Sequence, residues 1–338
     1  MKLISIIIVT QNGSQWLPGC LKTLHQQKYK NIEIILVDNA STDHSVDWIY
    51  KHYPRVHVVL NKTNVGFAQG NNIGYQRAKG EYIVFLNNDT RVTPDFITEL
   101  VRVMEKDSSI GGVQSKILLM DNPKRLDSIG AFLTPTGFLY HNKFGEIDKK
   151  EFDTQIDLYT AKGACMMFRR DVLEKVKVDG SIFDPDFFAY FEETDLCHRV
   201  WLSGYRIVYA PKSVIYHKMG ATSSSMDSTF IQYHSFKNRI RSYLKNFGIL
   251  WLITILPIHL FACQMYGIFC FIQGKFGLFQ AIEQAFWWNI VQLPKTVHMR
   301  HYTQGNIRKV SDKEISLNIM KVLSIRYYLN MLFCLIAR

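Results

Sequence analysis

The chain has 338 residues, 47% apolar and 20% charged, which excludes a disordered or collagen-like polymer and leaves room for one large domain or two ordinary ones. Its net charge of +11 is uneven, because residues 231–338 hold 13 lysines and arginines against 3 acids, a net +10. Six cysteines, Cys20, Cys165, Cys197, Cys263, Cys270 and Cys334, stand apart with no CxxC pair, so neither a zinc site nor a disulfide framework is indicated and a reduced, cytosolic compartment is expected.

The first run, Leu3 to Val9, passes directly into polar turn residues without a small-residue cleavage site and reads as a strand, not a signal peptide. Three more β-branched runs, Ile32 to Val37, Val56 to Leu60 and Tyr82 to Leu86, have the continuous apolar character of strands buried on both faces. Helix-length segments lie between them. Ser14 is placed to cap the first, Ser41 to Asp43 supply caps for the second, Gly80 stops the third, and Thr93 with Pro94 opens the fourth. Strand and helix in alternation predict an α/β fold with a mostly parallel, doubly wound sheet over residues 1–110. Residues 111–230 are mixed and turn-rich and read as the part of the same domain that completes a site.

The polar residues that follow these strands carry the chemistry, since open α/β sheets bind ligands beyond the carboxyl ends of their strands. The second strand runs into Asp38 and the fourth into Asn87, Asn88 and Asp89. No GxGxxG follows the first strand and no GxxxxGK[ST] occurs, so neither a dinucleotide fingerprint nor a P-loop is supported. A few carboxylates and amides suit a nucleoside and a hard divalent cation, Mg2+ or Mn2+, shared with phosphate oxygens. Asp89 is the candidate ligand, Asn88 a partner for a ribose hydroxyl, and Asp38 a partner for a base or sugar edge. Further on, Glu192, Glu193 and Asp195 form an acidic knot beside aromatic residues, a setting that raises a carboxyl pKa and suits a general base. His217, after the strand-like Val214 to Tyr216, is a candidate nitrogen ligand.

Six ordered blocks, "SIIIVTQN", "ILVDNASTD", "NVGFAQGNNIG", "GEYIVFLNNDTRVTPDFI", "FDPDFFAYFEETDLCHRVWLSGYRI" and "VIYHKMGATSS", resemble the inverting glycosyltransferases of family 2, particularly their rhamnosyltransferase-like branch. The resemblance covers about residues 3 to 225. It implies the GT-A nucleotide-sugar fold over residues 1–230 and metal-dependent transfer of a sugar, rhamnose by preference, from a nucleoside-diphosphate donor such as a dTDP- or UDP-sugar. By position it implies donor-binding roles for Thr10, Asn12, Asp38 and Asn88, metal ligation by Asp89 and His217, and a base role for Glu193. The sequence departs from the family pattern twice: an amide, Asn88, stands at the first acidic position of the metal motif, and Glu193 replaces the commoner aspartate. Gly163 and Ala164 resemble the loop that lines the sugars.

Residues 231–338 read as a basic, hydrophobic, helical membrane-associating region. Ile249 to Ile272 is 24 residues without a formal charge, long enough to span a bilayer, but Pro257, His259 and Gln264 interrupt it and basic residues lie on both sides. An in-plane or re-entrant helix pair with Phe276 to Lys295 is the first expectation, ahead of a single span or a buried core helix. Ser311 and Glu314 form a capping box for a later helix, and the last apolar segment is too short to span. Lysines and arginines beside Trp287 and Trp288 favour anionic lipid over nucleic acid. The acceptor expected is a hydroxyl of a polyprenyl-linked glycan or polysaccharide precursor at the cytoplasmic face of the cell membrane. Two rivals are a processive synthase, which would carry QxxRW where Gln284 to Trp288 reads QAFWW, and an inactive membrane-docking protein that binds glycan or nucleotide.

Overall fold

The computed structural model describes residues 1–220, 227–324 and 327; the "ATSS" end of the last family block and most of the final apolar segment lie outside them. The first 110 residues alternate as the apolar runs require. β1 (Ile4–Thr10), α1 (Leu17–His25), β2 (Ile32–Asp38), α2 (Ser45–His52), β3 (His57–Leu60), α3 (Gly66–Arg77), β4 (Tyr82–Leu86), β5 (Thr90–Val92) and α4 (Phe96–Lys106) follow in order. β1 feeds both faces of the sheet: Ile4, Ile6 and Ile8 pack with α1 and α4, while Ile7 packs with α3 residues on the other side. That double burial is why the strand shows no polar alternation.

Some expected helix starts are displaced. Ser14 does not cap α1; its backbone N–H donates to Asp43 Oδ2 at 2.8 Å, and α1 begins at Leu17 with Pro18 in its first turn. The start of α2 is capped as expected from the Ser41–Asp43 stretch, with Asp43 Oδ1 accepting from the Ser45 N–H at 3.1 Å. The Thr93 hydroxyl donates to the Val214 carbonyl, and α4 starts only at Phe96 after a turn through Pro94 and Asp95.

Beyond α4 come β6 (Ile110–Leu119), β7 (Leu126–Ser128), β8 (Ala131–Leu133), β9 (Leu139–His141), β10 (Cys165–Arg169), α5 (Arg170–Lys175), α6 (Glu192–Leu202) and β11 (Arg206–His217). The main sheet has nine strands in the order β3-β2-β1-β4-β10-β6-β11-β5, with β7 on β6. Its first four strands are parallel, as predicted. The second half is mixed, because β10 inserts antiparallel between β4 and β6 and β5 runs antiparallel to β11.

The C-terminal part is helical: α7 (Ser228–Asn246), α8 (Ile249–Ile272), α9 (Phe276–Val291), α10 (Leu293–Tyr302) and α11 (Asp312–Ile319), the last with the Ser311–Glu314 capping box. α7 does not present its cations to solvent. Lys237, Arg241 and Lys245 are buried, the last with Nζ at 2.7 Å from Asp184 Oδ2 and 3.2 Å from Asp195 Oδ1. Arg241 reaches Asp184 at 2.9 Å and Asp186 at 3.0 Å, and Arg199 closes on Asp195 at 3.1 Å. The expectation that these basic residues face lipid therefore fails for three of the four on α7: Arg241 and Lys245 pair with carboxylates of the preceding half, and Lys237 donates to the Asp186 carbonyl.

Burial alone would raise the Asp195 carboxyl, but Lys245 and Arg199 hold it well below the usual range. Its contribution to stability is complete above the ordinary carboxylate pKa and is lost as pH falls through the depressed folded-state value. Lys245→Met takes one of two cationic partners from each of two buried carboxylates, leaving Asp184 to Arg241 and Asp195 to Arg199, and is expected to cost ~3 kcal/mol in chemical denaturation. Lys51→Gln, on the exposed side of α2, changes stability by less than ~0.5 kcal/mol.

Candidate active site

Parallel pairing sets Thr10 beside Asp38 at the carboxyl ends of β1 and β2, and β4 ends next to them at Leu86. The polar residues after these strands meet α6 across a cavity of about 350 Å³. Thr10, Asn88, Asp89, Glu193 and His217 all line it. Asn12 and Asp38 do not. Asn12 takes a left-handed conformation (φ 52°), and its Oδ1 accepts from the Thr42 N–H at 2.8 Å, which ties the loop after β1 to the loop after β2. Asp38 lies just behind the wall, 3% exposed, with Oδ2 accepting from the Ser41 N–H at 3.0 Å and a buried Oδ1 that has no hydrogen-bond partner.

The Asn88 amide donates to the Thr10 hydroxyl at 2.8 Å. The next residue, Asp89, is 5% exposed and its Oδ1 has no hydrogen bond, although His217 Nε2 stands 3.4 Å away. Antiparallel pairing of β11 with β5 sets His217 opposite Thr90 and so brings the imidazole to Asp89. On its other side, His217 Nδ1 lies 2.6 Å from Asp127 Oδ2, and Lys162 Nζ lies 2.5 Å from Asp127 Oδ1. Burial lowers the His217 pKa, but the two flanking carboxylates overcome this and leave it above the ordinary histidine value.

Asp127 and Lys162 escaped the sequence reading. Asp127 sits in β7, a three-residue strand with no apolar run to announce it, and Lys162 lies directly before the "GA" that the resemblance did single out.

The acidic knot resolves into three roles. Asp195 is fully buried in the ion cluster described above and turns away from the cavity. Glu192 is 5% exposed with an unpartnered Oε2, and burial with repulsion from Glu193 pushes its pKa well up. Glu193, the second residue of α6, keeps a partly exposed carboxylate in the cavity wall. Burial raises its pKa, against hydrogen bonds from its own backbone N–H and the Thr194 hydroxyl that lower it.

The turn that aims Glu193 is strained: Phe188, Tyr190 and Phe191 have φ of 61°, 71° and 71°. It also leans on Gly66 (φ 81°), where an added Cβ would lie 2.5 Å from the Phe188 carbonyl oxygen. Gly66→Ala is expected to cost at least ~2 kcal/mol, combining the left-handed penalty with that clash, whereas Gly145→Ala, at φ 74° with open space around it, loses only ~1–2 kcal/mol. Denaturant titration of the two variants compares them directly.

The family model for Glycosyl transferase family 2 matches residues 5–177. Glycosyltransferase GlyG of Streptococcus pneumoniae is 38% identical over 113 residues, covering 32% of this chain and 38% of that protein. The low-salt glycan biosynthesis hexosyltransferase Agl10 of Haloferax volcanii is 24% identical over 242 residues, 70% of this chain and 74% of that one. The chain spans 25% and 38% of the lengths of the first two curated relatives it matches. Among solved structures, S. aureus TarS with UDP-GlcNAc aligns with a TM-score of 0.57 at 14% identity, covering 90% of this chain and 88% of that one. The mannosyltransferase of Pyrobaculum calidifontis with GDP-Man and Mn2+ aligns with 0.53 at 17% identity, covering 91% and 81%. These likenesses establish the GT-A fold.

Proposed function

The chain belongs to glycosyl transferase family 2, and from that premise we propose that it is an inverting transferase that moves a sugar from a nucleoside-diphosphate donor to an acceptor hydroxyl. The observation that carries the reading is the meeting of Asp89, His217 and Glu193 in one cavity at the carboxyl edge of the sheet. Thr10 and Asn88 form the donor-side wall, and Asp38 with Asn12 supports that wall from behind.

The residues present fit a divalent cation. Asp89 Oδ1 is buried without a hydrogen bond, and Asp127 on Nδ1 leaves His217 Nε2 as the nitrogen facing it. Asp89 Oδ1 and His217 Nε2 stand 3.4 Å apart, so the two would hold one ion between them. Among the described residues no cluster of three such groups occurs, so substrate oxygens and water would complete the shell. Bound there, Mg2+ or Mn2+ would neutralise the charge that grows on the departing diphosphate. The P. calidifontis relative in fold carries Mn2+ with its GDP-Man.

The rest falls to the chain's own groups. Glu193 takes the proton of the acceptor hydroxyl as its oxygen bonds to the anomeric carbon and the bond to diphosphate breaks, one displacement that inverts the centre. Asp127 orients His217, and Lys162 adds a cation to the same wall. The assembled site weighs against an inactive docking protein. The absence of QxxRW weighs against a processive synthase.

The donor is best read as dTDP-rhamnose, with UDP-sugars as the alternative, and the acceptor as a lipid-linked glycan of a cell-surface polysaccharide on the cytoplasmic membrane face. Residues 1–230 then form the catalytic domain and 231–338 the membrane-associating region. An in-plane arrangement of α8 has the better support. Its buried residues Trp251, Ile255, His259, Cys263, Gly267 and Cys270 recur along its whole length, so one face is occupied by protein throughout, while Ile253, Phe261, Met265 and Ile268 face outward. Trp287 and Ile290 of α9 extend that apolar surface.

A panel of nucleoside-diphosphate sugars with a polyprenyl-linked acceptor, with and without chelator, tests the reading. Turnover is expected with one donor and is lost on chelation; nucleoside diphosphate released from none of them refutes it. Glu193→Gln lowers kcat by ~10²–10⁴-fold, and the acid limb of the wild-type rate profile lies above the ordinary glutamate pKa because the base must be deprotonated to act. Phe261→Asp combined with Trp287→Asp is expected to abolish flotation with anionic vesicles while leaving transfer to a water-soluble acceptor intact.

A further inference from the structure

The strained turn before α6 is held from outside the catalytic half. Asn238, in the middle of α7, is fully buried, and its amide Nδ2 lies 2.9 Å from the Phe187 carbonyl, 2.9 Å from that of Ala189 and 2.6 Å from that of Tyr190. His234 Nδ1 lies 3.2 Å from the same Phe187 oxygen, and Lys237 Nζ donates to the Asp186 carbonyl at 2.7 Å. Three carbonyls that converge on one point repel one another and are buried away from water. A chain through residues 188, 190 and 191 in the left-handed region would relax if they were free to part. One NH2 group supplies the shared donor.

We propose that Asn238 is the positioning residue for the base: by gathering these carbonyls it fixes the turn from which α6 starts, and so fixes Glu193 against the acceptor hydroxyl. This rests on the base role of Glu193 stated above. The aromatic contacts point the same way, since Phe188 packs on Phe230 and His234 of α7, and Phe191 on Tyr243. The clamp and the buried ion cluster lie on the same helix, one gripping the turn before α6 and the other gripping Asp195 within it. Residues past 230 thereby reach into the chemistry, even though Asn238 touches no substrate.

Asn238→Leu keeps the volume and removes the donors. In the full-length chain its kcat is expected to fall ~10–100-fold, as a small misplacement of a reacting group does, with the donor KM within threefold of wild type. A folded variant whose kcat stays within threefold overturns the proposal, as does a loss that vanishes once activity is corrected for the fraction of protein that is folded. If the leucine variant fails to fold, Asn238→Ser, which retains a single donor, is judged by the same limits. Hydrogen exchange at the amides of residues 186–193 gives a readout that needs no substrate. At least tenfold faster exchange there, with β1 to β4 unchanged, supports the clamp, and unchanged exchange overturns it. Glu193→Gln in parallel separates the two ideas, because wild-type turnover by that variant removes the base assignment and leaves the clamp to be decided by exchange.

Discussion

Asp184 and Asp195 are buried carboxylates, and a buried charge without a partner is too costly for a fold to keep. Their partners come from two places: Arg199, one turn further along α6, and Arg241 with Lys245 on α7. The position of α6 is therefore tied to that of α7. Everything that α6 carries, including the Glu193 carboxylate at its start, inherits that dependence. A pair of this kind adds little net stability compared with apolar packing, but it punishes any arrangement that leaves one member alone. What it supplies is a single register between the sugar-nucleotide half and the helices that follow.

The first half of the molecule was readable because its signals are local. Continuous apolar runs mark strands buried on both faces, and the four that occur became β1 to β4 with shifts of a residue or so. Parallel pairing then forces Thr10, Asp38 and the Asn88–Asp89 turn to one edge, so placing the polar residues followed from placing the strands. Glu193 and His217 were legible only through ordered blocks, since neither an acid at a helix start nor a histidine at a strand end says what it faces. Asp127 left no trace. Its importance arises from β7 meeting β6 beside His217, a long-range pairing that no local pattern announces.

The basic tail misled for a physical reason. A lysine on a helix reads as solvent-facing unless an acid lies three or four residues away, and α7 contains no acid. Its partners, Asp184, Asp186 and Asp195, lie about fifty to sixty residues upstream, where no local pattern links them to it. Charge asymmetry between halves of a sequence can thus mean an internal ionic interface as readily as an external anionic surface. The apolar excess of α8 and α9 has no such internal outlet, because Ile253, Phe261, Trp287 and Ile290 stay exposed after every helix has packed. The lipid partner proposed for that surface thus rests on hydrophobicity, with less help from charge than composition suggested.

The amide at position 88 also takes on a physical meaning. Asn88 donates to the Thr10 hydroxyl, an interaction that an ionised aspartate would have to reverse, so the lost carboxylate is exchanged for a fixed link between the ends of β1 and β4. Asp127 sits behind His217 and is itself neutralised by Lys162, so on that side of the cavity Asp89 is the carboxylate without a lysine or arginine partner. With the imidazole neutral, the two carboxylates and one lysine carry a net charge of −1. A single negative charge is little for a divalent cation to bind by itself, so the cation proposed above would depend on the oxygens of a diphosphate and would bind together with the donor.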